Sequence, residues 1–387
     1  MAIFMTGATG YIGSYVTEWF LRQTDRELAL LVRAEDYDAC VERLWKSLQL
    51  HMEADEFHRH LDRICFISGD LTEPRMGIST ADYDWLISNV DSVLHTAAAL
   101  NFRSERACTN HNLRGTLSVI MLARAIQEDH PLSRFTQVST VAVAGHRPGA
   151  VVMEDEPLDW SRSDFNAYTR TKKFCEHMVR ELLADVPCLI VRPSSVIGDS
   201  RFPETTQFDM VRAVCALTDL PVLPLSRDLR LDIVNVDWVG AGIAELHLRE
   251  DLEHDTYHLS AGTESRTIGE IAEAFSTALG KRVPRFAGRL AAPFEHAMGA
   301  LANLRKAAGL QRIGALLNVF IPYIAADIVY DNTRAVAALR AAPTPFTAYG
   351  PTLYTYAKSV KFEFPYRPLP EKLDLSDVPP DPVRPMV

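Results

Sequence analysis

The stretch Ala167-Tyr168-Thr169-Arg170-Thr171-Lys172 carries the pair of side chains best suited to chemistry in this chain. Four residues apart, Tyr168 and Lys172 share one face of a helix and can act as a unit. A phenol with an ordinary pKa of about 10 is a poor proton donor or acceptor at neutral pH. An ammonium about 5 Å away, at an effective dielectric of about 20, favours the phenolate by roughly 3 kcal/mol, or about two pKa units. Such a tyrosine can serve as general acid toward a carbonyl oxygen. The same spacing also arises by chance on solvated helices, so the meaning of the pair depends on the elements that hold it.

Those elements begin at once. Ala2-Ile3-Phe4-Met5-Thr6 is a short apolar run, Gly7-Ala8-Thr9-Gly10-Tyr11-Ile12-Gly13 a glycine-rich turn, and Tyr15, Val16, Trp19 and Phe20 recur at helical spacing. A strand, a tight turn and a helix with free N–H groups at its start form a site for a pyrophosphate. Gly7 allows the turn, Gly10 the approach of the phosphates and Gly13 the packing of helix on strand. Thr9, Tyr11 and Ile12 belong to the same turn and are expected to line it.

Further apolar runs at 28–32, 64–67, 92–95, 135–138 and 189–191 alternate with helical patterns, notably 109–128 and 167–184. The alternation predicts an α/β fold with a doubly wound parallel sheet of Rossmann type. Ligands of such sheets bind beyond the carboxyl ends of the strands. Arg33, Asp70, Thr96 to Ala98, Thr140 and Ser194 all follow those ends. A carboxylate after the second strand would suit the ribose of NAD, whereas an arginine can fork onto a 2′-phosphate. Arg33 therefore favours NADP(H), although Glu35 and Asp36 lie close by. Asp70 is expected to accept from the adenine amino group or to cap a turn.

The second half is less regular. Leu231 to Val236 reads as a strand returning to the main sheet, followed by a helix from Trp238 to Leu248. Tyr257 to Leu259 reads as another strand, and Thr267 as the N-cap of a helix with Glu270 three residues on. Residues 1–200, with 231–256 returning, are expected to form the dinucleotide-binding domain. Residues 201–230 and 257–387 are expected to form a smaller C-terminal substrate-binding region. From Phe364 the chain holds seven prolines in 24 residues, the composition of an extended or wrapping arm.

Composition bounds the function classes. With 387 residues and 47% hydrophobic content there is ample material for a core, so disorder is not expected. A net charge of −10 argues against a nucleic-acid surface. The six cysteines form no C-x-x-C and no metal-like cluster, which points to reduced thiols, no metal site and a cytoplasmic protein. With the first strand beginning at once, no signal peptide is expected. The apolar stretch Ile313 to Ala326 is shorter than a bilayer span and is interrupted by Asn318 and Pro322. It reads as a buried or substrate-facing segment rather than a transmembrane one, with peripheral membrane contact as the alternative.

These residues resemble the extended short-chain dehydrogenase/reductase superfamily. The likeness rests on Thr6-Gly-x-x-Gly-x-x-Gly13, Asp70-Leu71, Ala97-Ala98, Asn112-x-x-Gly-Thr116, Thr140, Tyr168-x-x-x-Lys172 and Arg192-Pro193-Ser194. Within it the chain is most similar to the thioester reductase and fatty acyl-CoA reductase branch. The carrying stretches are Leu31-Val-Arg-Ala34 with Ala39-x-x-x-Arg43-Leu44, Ser68 to Pro74, Val93 to Phe102, Val138-Ser139-Thr140 and Arg230 to Asp237. The likeness covers residues 2 to about 260 and is thin beyond.

The resemblance implies a catalytic set of Thr140, Tyr168 and Lys172. Of the two adjacent hydroxyls, the family pattern selects Thr140 over Ser139. Tyr168 would protonate or polarise the carbonyl oxygen, and Lys172 would bind the nicotinamide ribose and lower the tyrosine pKa. Leu71, Pro193 and Ser194 would border the cofactor, with Ser194 near the carboxamide. Asn112 would kink its helix and relay a water. His95 is expected to pack or cap at its strand end rather than act as a ligand. The implied reaction is NADPH-dependent reduction of an acyl thioester, held on CoA or an acyl carrier protein, to an aldehyde or alcohol. A ketone, secondary alcohol or nucleotide sugar is the rival substrate, and Arg201, Arg212, Arg227 and Arg230 could meet a diphosphate. A non-catalytic NADP-binding sensor is the reading from another class, but it has no need of Thr140, Tyr168 and Lys172 together.

Overall fold

A computed structural model describes residues 1–100, 104–302 and 308–371. Asn101 and Phe102 of the motif above, and the tail beyond Glu371, lie outside them. Seven parallel strands form the central sheet: β1 (Ala2–Thr6), β2 (Leu28–Val32), β3 (Ile64–Ser68), β4 (Val90–His95), β5 (Arg134–Val138), β6 (Cys188–Pro193) and β7 (Thr256–Leu259). Their order across the sheet is β7-β6-β5-β4-β1-β2-β3. Every residue of β1 and β2 is buried, because parallel strands covered on both faces must be apolar on both.

Alternation along the strands divides the core into two layers. Ile3, Met5, Leu28 and Leu30 face a layer that includes Val16 and Phe20 of α1 (Tyr11–Gln23), Val41 and Leu44 of α2 (Tyr37–Leu48), and Val239 and Ile243 of the helix Val236–Leu248. Ala2, Phe4, Ala29 and Leu31 face the other layer. There Val119, Ile120 and Ala123 of α3 (Gly115–Asp129) meet Val179 of α4 (Ala167–Leu182). The doubly wound sheet expected from the strand pattern is present.

The returning strand is a different one from that expected. Arg230–Leu231 pairs antiparallel with Arg266–Thr267, and Ile233–Val234 pairs parallel with Ser195–Val196, in two small separate sheets. Asp232 falls between them, its side chain accepting from the Ala261 N–H at 2.8 Å. The edge of the main sheet is β7, so residues 256–259 belong to the sheet rather than to the substrate region. The helix Ile268–Leu279 begins with the expected Thr267–Glu270 capping box. Residues 209–218, 268–279 and 346–359 are helical and share a third apolar cluster around Phe275, Phe346 and Tyr349.

The apolar stretch at 313–326 lies in the helix Ala308–Ala325, which buries Leu317, Ile321 and Ile324. Among the described residues no helix is long and apolar enough to cross a membrane.

Three histidines sit in this core without charge. His95 lies between the hydroxyls of Thr6 (2.6 Å) and Thr116 (3.0 Å), in keeping with the packing role read for it. His247 lies between Thr136 and Ser92, and His258 meets the Asp331 carbonyl. Burial, reinforced by neighbouring cations, lowers each from 6.5 to about 3. Between those values the unfolded chain binds protons that the folded chain does not, so stability is full above pH 6.5 and falls as the pH drops toward 3. Each histidine contributes a slope of about 1.4 kcal/mol per pH unit. Glu154 and Asp232, raised by burial to about 7 and about 6, take up protons in the fold over the same range and offset part of this, while His51, lowered to about 3, adds to it. The expected result is a net loss on the order of 2 kcal/mol between pH 7.5 and 5.5, measured by urea unfolding. An unchanged midpoint across that range would contradict this placement of the three side chains.

Candidate active site

A cleft of about 1220 Å³ opens along the carboxyl edge of the sheet. One end is the glycine turn. Gly7 has φ +79°, and a Cβ there would lie 2.5 Å from Thr96 Oγ1 and 2.6 Å from the Ala97 nitrogen. A Cβ on Gly13 would lie only 1.9 Å from the Gly7 carbonyl oxygen. Bare backbone is therefore required where strand, turn and helix meet. Gly10 caps α1 with no side-chain hydrogen bond, which leaves the first N–H groups of that helix for a ligand. Thr96 Oγ1 donates to the Thr6 carbonyl at 2.6 Å and fixes the loop after β4 beside the turn. An uncapped helix start behind a cradle that any Cβ would fill fits a dinucleotide pyrophosphate.

At the other end stand the residues expected to do chemistry. The helix α4 starts with a capping box, in which Asn166 Oδ1 accepts from the Thr169 N–H (3.1 Å) and Thr169 Oγ1 from the Asn166 N–H (3.2 Å). This sets Tyr168 on the first turn, at the cleft. Thr140 lies two residues beyond β5, its hydroxyl accepting from the Ala142 N–H at 3.3 Å as the cap of the short helix Val141–Ala144. Ser139 is buried beside it, with no hydrogen-bond partner for its Oγ among the described residues. Lys172, almost fully buried, donates from Nζ to the Val138 carbonyl at 2.8 Å and so ties α4 to the end of β5.

The pKa expectation for this pair is corrected. Burial raises the Tyr168 phenol well above its ordinary value, and the neighbouring Tyr323, Cys175 and Cys108 push the same way. Lys172 is itself held below the usual lysine value by burial. Burial thus outweighs the attraction that helical spacing suggested, and Tyr168 keeps its proton.

The cleft gathers most of the residues singled out in the sequence. Gly7, Thr9, Gly10, Tyr11, Ile12 and Gly13 line it, as do Arg33, Thr96, Ala97 and Ala98. So do Thr140, Tyr168, Lys172, Pro193 and Ser194. Ser194 Oγ is buried there without a hydrogen-bond partner among the described residues.

Three others do not line it. Asp70 turns to its own loop, accepting from the N–H and hydroxyl of Thr72 at 2.9 and 2.8 Å. Against a burial penalty, those bonds and Arg33 hold its carboxyl below the usual range. Leu71 packs on Gly115 of α3. Asn112 lies behind the wall in a π-helical turn, Thr109–Arg114, that kinks the segment expected to be one helix. Its amide accepts from the Ala99 N–H (2.7 Å) and donates to Thr171 Oγ1 (3.1 Å), joining the loop after β4 to α4.

Several lining residues were not singled out as site residues in the sequence. Tyr323, from the helix Ala308–Ala325, stacks on Phe165 with centroids 4.3 Å apart and accepts from Asn166 Nδ2 at 2.7 Å. Only the fold brings it to the first turn of α4. Arg43 and Lys46 also line the cleft. They lie on the face of α2 opposite Val41, Leu44, Trp45 and Leu48, a polar stripe that periodicity could have placed beside Arg33.

A Rossmann-type sheet with a glycine cradle at one end of its cleft and threonine, tyrosine and lysine at the other defines an extended short-chain dehydrogenase/reductase. The chain belongs to the NAD-binding male sterility protein family, whose model matches residues 5–243. A linear gramicidin synthase of Brevibacillus parabrevis is 32% identical over 262 residues, 67% of this chain but 5% of that protein. Fatty acyl-CoA reductase wat of Drosophila melanogaster is 27% identical over 243 residues, 56% of this chain and 46% of that protein. The chain thus spans less than half the length of either relative. Among solved structures, the terminal R domain from the myxalamid PKS-NRPS biosynthetic pathway superposes with a TM-score of 0.79 at 24% identity, covering 93% of this chain and 91% of that one. The reductase domain of a non-ribosomal peptide synthetase from Mycobacterium tuberculosis gives 0.68 at 20% identity, over 93% and 92%. At such identities the likeness is one of fold.

Proposed function

We propose that the protein is an NADPH-dependent reductase of acyl thioesters, carried on CoA or on an acyl carrier protein, and that Thr140, Tyr168 and Lys172 are its catalytic set. The observation that carries this reading is the meeting of Thr140, a protonated Tyr168 and Lys172 in the cleft that begins at the glycine cradle. Family membership and the reductase names of the relatives support it.

The glycine turn with Pro193 and Ser194 would hold a nicotinamide dinucleotide, which when bound would supply hydride for the carbonyl carbon. Tyr168, kept protonated by burial, donates a hydrogen bond to the oxygen on which negative charge develops, and the Thr140 hydroxyl stands by as a second donor. Lys172 holds the Tyr168 helix against the strand of Thr140. Collapse of the tetrahedral oxyanion breaks the C–S bond, the departing thiolate takes a proton from solvent, and an aldehyde remains, open to a second reduction. Residues 201–230 and those after β7 supply the substrate side of the cleft, where Met210, Phe320 and Ile328 offer apolar contact to an acyl chain.

A nucleotide-sugar substrate is less well supported. Arg201 is paired with Asp199, Arg212 donates to the Phe362 carbonyl and Arg227 is paired with Glu273. Of the four arginines considered for a diphosphate, Arg230 alone lines the cleft. NADPH oxidation with a panel of acyl-CoAs, aldehydes, ketones and nucleotide sugars separates the readings. Turnover of ketones with no thiol release from any acyl thioester would overturn the thioester assignment.

Cofactor choice rests on Arg33, which is exposed at the cleft and touches Asp70 only at 3.5 Å. Arg33→Ala is expected to weaken NADPH binding about tenfold, the size of one hydrogen bond to a charged group, and to spare NADH. A variant that keeps the full preference for NADPH would refute the phosphate role.

A further inference from the structure

The C-terminal strap returns to the adenosine end of the cleft, and we propose that it completes the 2′-phosphate subsite by holding Lys46 in place with the ring of Tyr366. The inference rests on the NADP reading above and extends it to residues far outside the glycine-turn domain.

Beyond the helix Phe346–Ser359 the chain turns at Lys361 and Phe362 and then crosses α2 without regular secondary structure. Such a proline-rich segment leaves carbonyls unpaired, and side chains at α2 and in the helix Ala54–His60 bind them. Trp45 Nε1 donates to the Arg367 carbonyl at 3.0 Å, across 322 residues of sequence. Gln49 clamps the same residue, donating from Nε2 to its carbonyl (3.2 Å) and accepting from its N–H at Oε1 (2.7 Å). His58 Nε2 lies 3.0 Å from the Pro370 carbonyl, and Leu369 packs into the core layer of Trp45 and Phe57. A strap anchored at so many points has a fixed course, so its side chains have fixed places.

Tyr366 is thereby set on the cleft wall, with the Lys46 ammonium 4.6 Å from its ring centroid. A cation so placed is attracted by the ring face and loses the freedom of a solvated lysine. Arg33 and Arg43 line the same end, and Arg43 Nη1 donates to the Arg33 carbonyl at 3.1 Å, which braces the loop after β2. Two carboxylates, Glu35 and Glu42, also line it. Glu42 faces the strap, accepting from the Leu369 N–H at 3.4 Å. Three cations converging on one end of a dinucleotide cleft suit a phosphate monoester, the group that distinguishes NADPH from NADH.

Titration of NADPH and NADH into the wild-type protein and the variants Tyr366→Ala, Tyr366→Phe, Lys46→Ala and Tyr366→Ala/Lys46→Ala tests this. Tyr366→Ala and Lys46→Ala are each expected to weaken NADPH about tenfold while NADH changes less than about twofold. The double variant should be little worse than either single one, because the two side chains act as a unit. Tyr366→Phe, which keeps the ring, should bind as wild type. Unchanged NADPH affinity in Tyr366→Ala, equal losses for both cofactors, or additive losses in the double variant would each overturn the strap's role and leave the NADP reading standing. A wild-type protein that binds NADH as tightly as NADPH would overturn both.

Discussion

Replacing Tyr168 by phenylalanine is expected to lower turnover by about 10²- to 10⁴-fold while NADPH affinity changes by less than about twofold. The ring is retained, so the packing of the first turn of α4 and its Asn166–Thr169 capping box stay as they are. What disappears is a hydroxyl that burial keeps protonated, in the presence of Tyr323, Cys175 and Cys108. A phenol held protonated is a poor base but a standing donor, and a reduction needs a donor where the oxyanion grows. Lys172 donates to the Val138 carbonyl and so ties the Tyr168 helix to the end of β5. Steady-state rates together with a cofactor titration check the prediction. Turnover within about threefold of wild type would remove Tyr168 from the mechanism.

The second large effect is expected at Gly13. A single methyl group there would sit 1.9 Å from the Gly7 oxygen, 2.8 Å from the Gly7 carbonyl carbon and 3.2 Å from the Ala8 Cα. All three are backbone atoms of the turn, so no side chain can rotate away to relieve the clash. Gly13→Ala should displace the turn and the start of α1 together, costing about 1–3 kcal/mol of stability. NADPH affinity should fall at least 100-fold, about 2.7 kcal/mol. Denaturant unfolding and cofactor titration read the two effects separately. An alanine variant that binds NADPH normally would show that the helix start does not hold the pyrophosphate.

The sheet was legible because its strands are short apolar runs, followed by glycine or polar residues where the chain must turn toward a ligand. The cleft residues at those ends followed from the same rule. Residues 230–234 defeated it: the apolar Ile233 and Val234 read as part of one strand, yet Asp232 divides two short pieces that pair with different partners. Asp70 was placed by its strand end, but local hydrogen bonds to Thr72 take its carboxylate away from the cleft. The strap was visible as composition and invisible as position, because Trp45 of α2 holds it by the Arg367 carbonyl and His58 of the helix Ala54–His60 by the Pro370 carbonyl, and no side-chain pattern advertises that. Tyr323 reaches the site from the apolar stretch read as buried or substrate-facing, but nothing in that sequence said it would meet the first turn of α4. Residue periodicity reports what an element buries, and it is silent about which distant element comes to meet it.

In the proposed reaction this cleft moves hydride to the carbonyl of an acyl thioester. Its most direct test is a single-turnover reaction of the protein with NADPH deuterated at the transferring position of C4 and a panel of acyl-CoAs, with products identified by mass. The expected product is an aldehyde, or the alcohol derived from it, bearing deuterium at C1, with one thiol released for each aldehyde formed. Intact thioesters with no thiol released, alongside deuterium transfer into ketones offered in parallel, would contradict it.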